Sequence, residues 1–403
     1  MLKSACRLTS VLVSTVSALN QLLRRSAKSA GLTVEDVLEI VIVGNTTMHH
    51  LLLNMPTRAL ALAPYVPTVH RPLDIKAREL HLEVNRGANV HLLPIEASFV
   101  GADNMAVLIA EEPHKQDEEL LIIDVGTNAE LVLGNRERLL CTSTPTGPAF
   151  EGAHVEYGMR AAPGAIERIS INPGDLEPTC RVITGNTADD APTKIKGICG
   201  SAIIDAIAEM FRVGILDARG RFDPAAQSPR LREGEQGKEY VIAWESETSI
   251  GRDIPITLQD VRQIQLAKAA LYTAAQILLR EAGLEKPDKI ILAGAFGSHI
   301  DPTAALILGM IPDCPIDRVV AVGNAAGDGA RIALLNKDKR TEAAEVAGAI
   351  RRVELPVDPD FQNQYMMALN FPHMSDAFPS ISHLIPDHDP DPLAERFKEE
   401  FDV

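Results

Sequence analysis

Aromatic side chains make up only 4 % of this 403-residue sequence, with a single tryptophan, so any core has to be built mainly from Ala, Val, Ile and Leu. Positive charge is also short: 39 Lys and Arg against 55 Asp and Glu leave a formal net charge of −16. Nucleic-acid binding draws most of its affinity from basic side chains that neutralise phosphates, which excludes a polyanion as the expected partner. A small phosphorylated ligand is not excluded, because a few backbone N–H groups at a helix start hold phosphate locally. Cysteine is sparse and dispersed, with Cys6, Cys141, Cys180, Cys199 and Cys314 too far apart for the local spacing of zinc or iron-sulfur ligands. An odd count without a disulfide framework points to reduced thiols and to the cytoplasm. No apolar run reaches the ~20 residues needed to cross a bilayer, so no membrane partner is expected. Met1 to Leu23, with Lys3 and Arg7 ahead of Val11 to Leu19, competes as a signal peptide; its Ser, Thr and Asn content speaks against that.

What is present is a soluble-type composition, 46 % hydrophobic and 23 % charged, in a chain longer than one hydrophobic core usually serves. Two lobes are therefore expected. Leu8 to Ala30 carries apolar side chains at helical spacing and ends at Gly31, a C-cap residue. Ile40 to Val43 predicts a buried strand, broken by Gly44 and Asn45, with a helix from Thr46 through Leu53 and another short strand at Val90 to Pro94. The polar stretch Lys115 to Glu119 marks a boundary, after which LLIIDVGTNAELVLGNRERLL predicts a hairpin. Pro145 to Ala165 is expected to be a long functional loop, and Arg219 to Gly237 a mobile polar insertion. A helix over Leu258 to Ala282, closed by Gly283, precedes strands at Lys289 to Ala293 and Arg318 to Val322. Such alternation argues an α/β architecture with a largely parallel sheet. The division expected is residues 1–115, residues 116–378, and a peripheral acidic tail over 379–403.

Four strand ends terminate in small residues: VIVGNTT (Val41 to Thr47), LLIIDVGTN (Leu120 to Asn128), IILAGAFG (Ile290 to Gly297) and VVAVGNAAGDGA (Val319 to Ala330). In open α/β sheets ligands sit beyond the carboxyl ends of strands, where glycine lets the backbone approach a phosphate. One such end alone is more often a plain turn; the set points to a nucleotide. Asp124 ends an apolar strand ahead of Gly126, Thr127 and Asn128. A carboxylate there suits a hydrated magnesium ion, and the turn's N–H groups with the Thr127 hydroxyl suit phosphate oxygens, while a hairpin-capping Asp is the competing reading. Glu151, His154, Glu156 and Arg160 form a charged segment, read as a solvated loop ahead of a proton-transfer cluster. His49 and His50 are read as satisfied helix histidines ahead of metal ligands.

The succession GNTTMHH, VGAD, IDVGTNAE, GPAFEGAHVEYGMRAAPGAIE, LAGAFGSHID and GNAAGDGA resembles the actin-like ATPase domain of the reductive activators of corrinoid proteins, from about Val34 to His373. That group lies in the superfamily of actin, acetate and sugar kinases and heat-shock ATPases. The resemblance implies an α/β, two-lobed actin-like (ribonuclease H-like) fold and the use of ATP and magnesium to drive a low-potential electron onto the cobalt(II) state of a corrinoid protein. It implies that Asp124 is the catalytic and metal-holding carboxylate, that Gly126, Thr127 and Asn128 form a phosphate loop, and that Gly294, Ala295 and Gly297 form the adenosine motif. Gly44, Asn45 and Thr46, and Gly323, Asn324 and Gly327, resemble the motifs that connect the lobes, the latter three also bearing on the nucleotide. Ser98, just before VGAD, is expected to face the partner's cobalt.

Two departures accompany the resemblance. Family members open the domain with a further strand and a DIGTTT-type phosphate loop, and nothing like it precedes Leu8, so the first lobe is expected to be incomplete and the chain a fragment, a truncated reading frame or half of a split protein. The family also carries a two-iron ferredoxin domain, whose cysteine pattern is not in this chain, so the electron donor is expected outside it. A sheet lacking opening strands exposes an edge, which makes a homo-oligomer a further expectation. A small-molecule kinase of the same superfamily and a non-catalytic corrinoid-protein-binding module are the rival readings.

Overall fold

The computed structural model describes residues 2–185 and 193–386. The chain divides into two compact units, one of Met1–Glu118, Gly134–Thr142 and Asn324–Val353, the other of Glu119–Leu133, Ser143–Gly323 and Glu354–Val403. Where the sequence suggested one cut near residue 115, the smaller unit takes back two later segments. Packing explains both returns: Arg351 and Arg352 pair in parallel with Leu140 and Cys141, and the helix Ala325–Leu335 lies against the helix Ala102–Glu111.

In the smaller unit, Leu2–Ser29 forms one helix, ending just before Gly31, which adopts the left-handed conformation at φ 71°. Leu12, Val16, Leu19 and Leu23 recur at the spacing of one helical face and pack on a core of Leu82, Val84, Val90 and Leu92. That core covers a three-stranded sheet with Asn89–Leu92 in the middle, parallel to Glu39–Ile42 and antiparallel to Leu73–Lys76. The helices Ala102–Glu111 and Ala325–Leu335 meet at backbone distance. A Cβ added to Gly329 would lie 1.8 Å from the Ala106 carbonyl oxygen, so only a residue without one fits.

The larger unit holds strands in the order Val319–Gly323, Lys289–Ala293 and Leu120–Val125, followed by Asn128–Gly134 up to Leu133. The first three are parallel, with Ile290 opposite both Val319 and Leu121. Leu120 to Ile123 and Ile290 to Ala293 are buried throughout, the near-continuous apolar run of strands covered on both faces. The helix Leu258–Ala282 starts in a capping box, where the Thr257 hydroxyl accepts from the Asp260 N–H at 3.2 Å and Asp260 accepts from the Thr257 N–H at 2.9 Å. Its buried Lys268 donates to the carbonyls of Asn370 and Pro372, strapping the later segment to the helix. Burial pushes the Lys268 ammonium well below its ordinary range.

Two expectations from the sequence change here. The insertion Arg219 to Gly237 contains a strand, Leu231–Gly234, paired antiparallel with Gly237–Ala243, and the neighbouring Arg230 is buried, bonded to Glu177 at 2.7 Å and set over the Trp244 ring. Its polarity reflects paired charge. The tail taken as peripheral from residue 379 begins packed: Ile381 is buried, and the Ser380 hydroxyl donates to Asp313 at 3.0 Å. Residues 387–403 of that tail lie outside the described residues.

Gly329→Ala is expected to lower the urea unfolding midpoint by an equivalent of ~1–3 kcal/mol, the usual cost of overpacking. Gly348→Ala, where an added Cβ meets nothing within 4 Å, leaves the midpoint unchanged or raises it by up to ~1 kcal/mol. Equal effects of the two substitutions would remove the close-approach explanation.

Candidate functional site

Leu120–Val125 is buried up to Ile123 and reaches the half-buried Asp124 at its carboxyl end. A two-residue turn follows, closed by the Gly126 N–H donating to the Asn128 carbonyl at 3.1 Å. The turn is braced by the segment after Leu139–Pro145. The Thr146 hydroxyl lies 2.7 Å from the Gly126 carbonyl oxygen and 3.1 Å from that of Thr127, and the Gly147 N–H donates to the Thr127 carbonyl at 3.0 Å. The carbonyls of Gly126 and Thr127 are thus both engaged by the bracing segment.

The Thr127 hydroxyl donates to Glu151 Oε1 at 2.6 Å. A hydroxyl has one proton, so in this structure it is not the phosphate donor the sequence suggested. Glu151 belonged to the segment read as a solvated loop, and its bond to the turn moves it into the site. Of the rest of that segment, His154 is exposed with φ 65°, and Glu156 is raised first by burial and then by the charge of Asp260.

Lys289–Ala293 runs parallel to Leu120–Val125 with Ala293 opposite Asp124. This register sets Gly294 against the carboxylate: an added Cβ would stand 2.4 Å from Asp124 Oδ1 and 3.2 Å from the Val125 carbonyl oxygen. Gly294 also has φ 92°, a conformation L side chains rarely adopt. A helical turn over Gly294–Gly297 follows and includes Ala295. Gly297 has only ordinary contact distances around its missing side chain. Gly323, at φ 71°, ends the third parallel strand opposite Ala293. Asp124, Gly294 and Gly323 therefore stand at the same end of three adjacent strands.

In the smaller unit, Asn324 and Asn45 serve as helix caps. Asn324 Oδ1 accepts from the Gly327 N–H at 3.0 Å, and a Cβ on Gly327 would come within 2.6 Å of that side chain. Asn45 Oδ1 accepts from the Met48 N–H at 2.9 Å. Gly44 and Thr46 lock onto the following loop: the Gly44 carbonyl accepts from the Ala102 N–H at 3.1 Å, and the buried Thr46 hydroxyl donates to the Ala97 carbonyl at 2.8 Å. Ser98 lies beside this contact in sequence but is only 3 % exposed, and its Oγ has no hydrogen-bond partner among the described residues. A hydroxyl so buried does not face a docking partner, and the neighbouring Phe99 is the exposed side chain, with Arg352 over its ring.

His50 is satisfied as expected, its Nδ1 2.8 Å from the Thr46 carbonyl oxygen and its Nε2 accepting from the Thr68 N–H, which fixes the proton on Nδ1. His49 is different. Both its nitrogens are buried without partners among the described residues, and burial, with His50 beside it, lowers its pKa to about 4. The sequence reading also missed Glu96. Its carboxyl accepts from Asn104 Nδ2, yet burial pushes it up to about 8 and its charge helps to raise the buried Cys141 thiol. The visible signal was a lone acid inside the apolar run LLPIEASFV.

Among the described residues no group of three or more His, Cys, Asp and Glu is placed to hold a metal ion. A single carboxylate at a strand end still fits magnesium, which keeps several of its waters. No helix among the described residues is long and apolar enough to cross a membrane.

The family described as the C-terminal domain of RACo, the ASKHA domain, matches residues 118–382, and the description RACo middle region matches residues 3–116. The chain belongs to the RACo family. A corrinoid activation enzyme, RamQ, of Eubacterium limosum is 36 % identical over 365 residues, covering 88 % of this chain and 60 % of the relative. A [Co(II) methylated amine-specific corrinoid protein] reductase of Methanosarcina barkeri is 27 % identical over 289 residues, covering 68 % of this chain and 49 % of the relative. A solved structure titled reductive activator for corrinoid, iron-sulfur protein superposes with a TM-score of 0.81 at 35 % identity, over 94 % of this chain and 59 % of that one. The chain thus spans about half to three fifths of the length of the RACo-family relatives it matches. The actin-like α/β fold expected from the sequence is the one found.

Two outcomes test this geometry. Gly294→Ala is expected to cost ~1–3 kcal/mol of stability from the left-handed backbone alone, and it displaces Asp124 as well; wild-type stability in a denaturant titration would contradict the contact. Glu96 binds its proton more tightly folded than unfolded, so between its ordinary pKa of 4.5 and about 8 the native state holds more protons and stability falls as pH rises. Glu96→Gln should flatten the change in urea midpoint between pH 5 and pH 8.5; an unaltered slope would place the titration elsewhere.

Proposed function

We propose that this chain is the ATP-binding and corrinoid-protein-docking module for ATP-dependent reductive activation of a corrinoid protein, with the low-potential electron coming from an iron-sulfur donor that this chain's cysteines do not build. The observation that carries the nucleotide half is the parallel register that sets Asp124 against the bare Cα of Gly294 beside a braced Gly126–Asn128 turn. The relatives, two of them named as activators and one as a reductase of corrinoid proteins, support the corrinoid half. The described cysteines are all free, and Cys141, Cys199 and Cys314 are buried, which supports a reducing, cytoplasmic setting.

In this reading Asp124 would hold the magnesium ion. The N–H groups of Thr127 and Asn128 receive phosphate oxygens while that of Gly126 closes the turn on the Asn128 carbonyl, and the Gly294–Gly297 turn, with Ala295 inside it, lies along the adenosine. Gly323, Asn324 and Gly327 shape the neighbouring strand end and helix start. Bound magnesium supplies charge neutralisation for the triphosphate. ATP promotes reduction of the partner only by binding the docked state with a different affinity from the free one, because a ligand with equal affinity for both shifts nothing.

Calorimetric titration of the 403-residue chain with ATP and magnesium tests the reading. Asp124→Asn should weaken magnesium-dependent affinity by ~1.5–3 kcal/mol, the worth of one charge-assisted contact, or roughly ten- to a hundredfold. Affinity that is the same in both proteins would return Asp124 to the role of a hairpin cap.

A further inference from the structure

Glu151 is held at the phosphate turn by more than one device. It ends the short helical turn Pro148–Glu151, whose preceding Gly147 is tied to the Thr127 carbonyl, and its carboxylate accepts a hydrogen bond from the Thr127 hydroxyl at 2.6 Å. The residues beyond it are fixed by close backbone contact. Gly152 has φ 81°, with space for a Cβ blocked by Met159 N at 3.0 Å, and a Cβ on Gly158 would stand 1.8 Å from the Gly152 carbonyl oxygen. An exposed carboxylate is thus presented from a rigid support.

The proton count then decides what the pair can hold. The one hydroxyl proton of Thr127 is engaged in its hydrogen bond to Glu151, so the Thr127 oxygen offers only lone pairs to anything outside, and the carboxylate is acceptor-only. Two acceptors side by side repel phosphate oxygens and attract a donor. At a site that binds a triphosphate, the donor required for hydrolysis is water.

We propose that Glu151, positioned by Thr127, orients the attacking water and takes its proton during ATP hydrolysis. This rests on the nucleotide reading above. The water oxygen forms a bond to the γ-phosphorus, the bond from that phosphorus to the β–γ bridging oxygen breaks with its electron pair leaving on ADP, and the water proton passes to Glu151 and then to solvent. No oxidant or reductant is involved.

Glu151→Gln is the test, because the amide oxygen still accepts the Thr127 proton while the side chain no longer takes one from water. The unaltered chain and the variant are compared in calorimetric affinity for the non-hydrolysable β,γ-imido analogue of ATP with magnesium, in melting temperature, and in phosphate release from ATP. The expected result is analogue affinity within about twofold, an unchanged melting temperature and hydrolysis slowed by about 10²–10⁴-fold, the usual contribution of a general base. Analogue binding by both proteins with equal hydrolysis overturns this inference alone, as does binding without hydrolysis by the unaltered chain. A variant that loses tenfold or more in analogue affinity, or melts markedly earlier, makes Glu151 a binding or structural residue and overturns it too. Absence of analogue binding by the unaltered chain removes the nucleotide reading and this inference together.

Discussion

Parallel pairing of Leu120–Val125 with Lys289–Ala293 is the constraint on which the candidate site depends. The two strands are buried along their lengths, so their register is set by apolar packing far more than by the polar ends they carry. That register puts Ala293 opposite Asp124 and leaves the next residue no room for a side chain. The geometry of the candidate site is therefore inherited from the core. A slip of one residue would turn Asp124 to the opposite face and undo the arrangement without touching any polar group.

The braces around the turn extend the same logic. Thr146 and Gly147 take up the carbonyls of Gly126 and Thr127, and Glu151 accepts the hydrogen bond of the Thr127 hydroxyl. All come from one stretch rich in glycine and proline, which supplies positive φ at Gly147 and Gly152 where the chain must turn sharply. In the smaller unit the corresponding work is done by asparagine caps and by Gly101, whose added Cβ would collide with Asn45. There the backbone of Gly44 to Thr46 is locked to the loop before Ala102, and the buried carboxyl of Glu96 is answered by Asn104.

Much of this was legible in the sequence because it follows from local pattern. The helix Leu258–Ala282 was closed by its Gly283 stop, and the strand Lys289–Ala293 by its apolar run and following glycine. The family resemblance pointed to Asp124 and Gly294 separately; their contact comes from register, which no local window contains. Ser98 was misjudged because burial depends on residues far away in sequence, and the bond from Thr127 to the exposed Glu151 was hidden for the same reason. Gly329 gave no sign of its importance, since its partner Ala106 is distant in sequence. The return of Asn324–Val353 to the smaller unit was hidden likewise, because helix-on-helix packing leaves only a small residue as its trace.

Hydrogen exchange of the unaltered chain, with and without magnesium ATP, tests the central claim most directly: the ends of Leu120–Val125 and Lys289–Ala293 form one nucleotide site. The account predicts slowed amide exchange over Asp124 to Asn128 and Gly294 to Gly297, with the hairpin Leu231–Gly234 and Gly237–Ala243 unaffected. Exchange unchanged at both strand ends at saturating ATP, or slowed only at that hairpin, would contradict it.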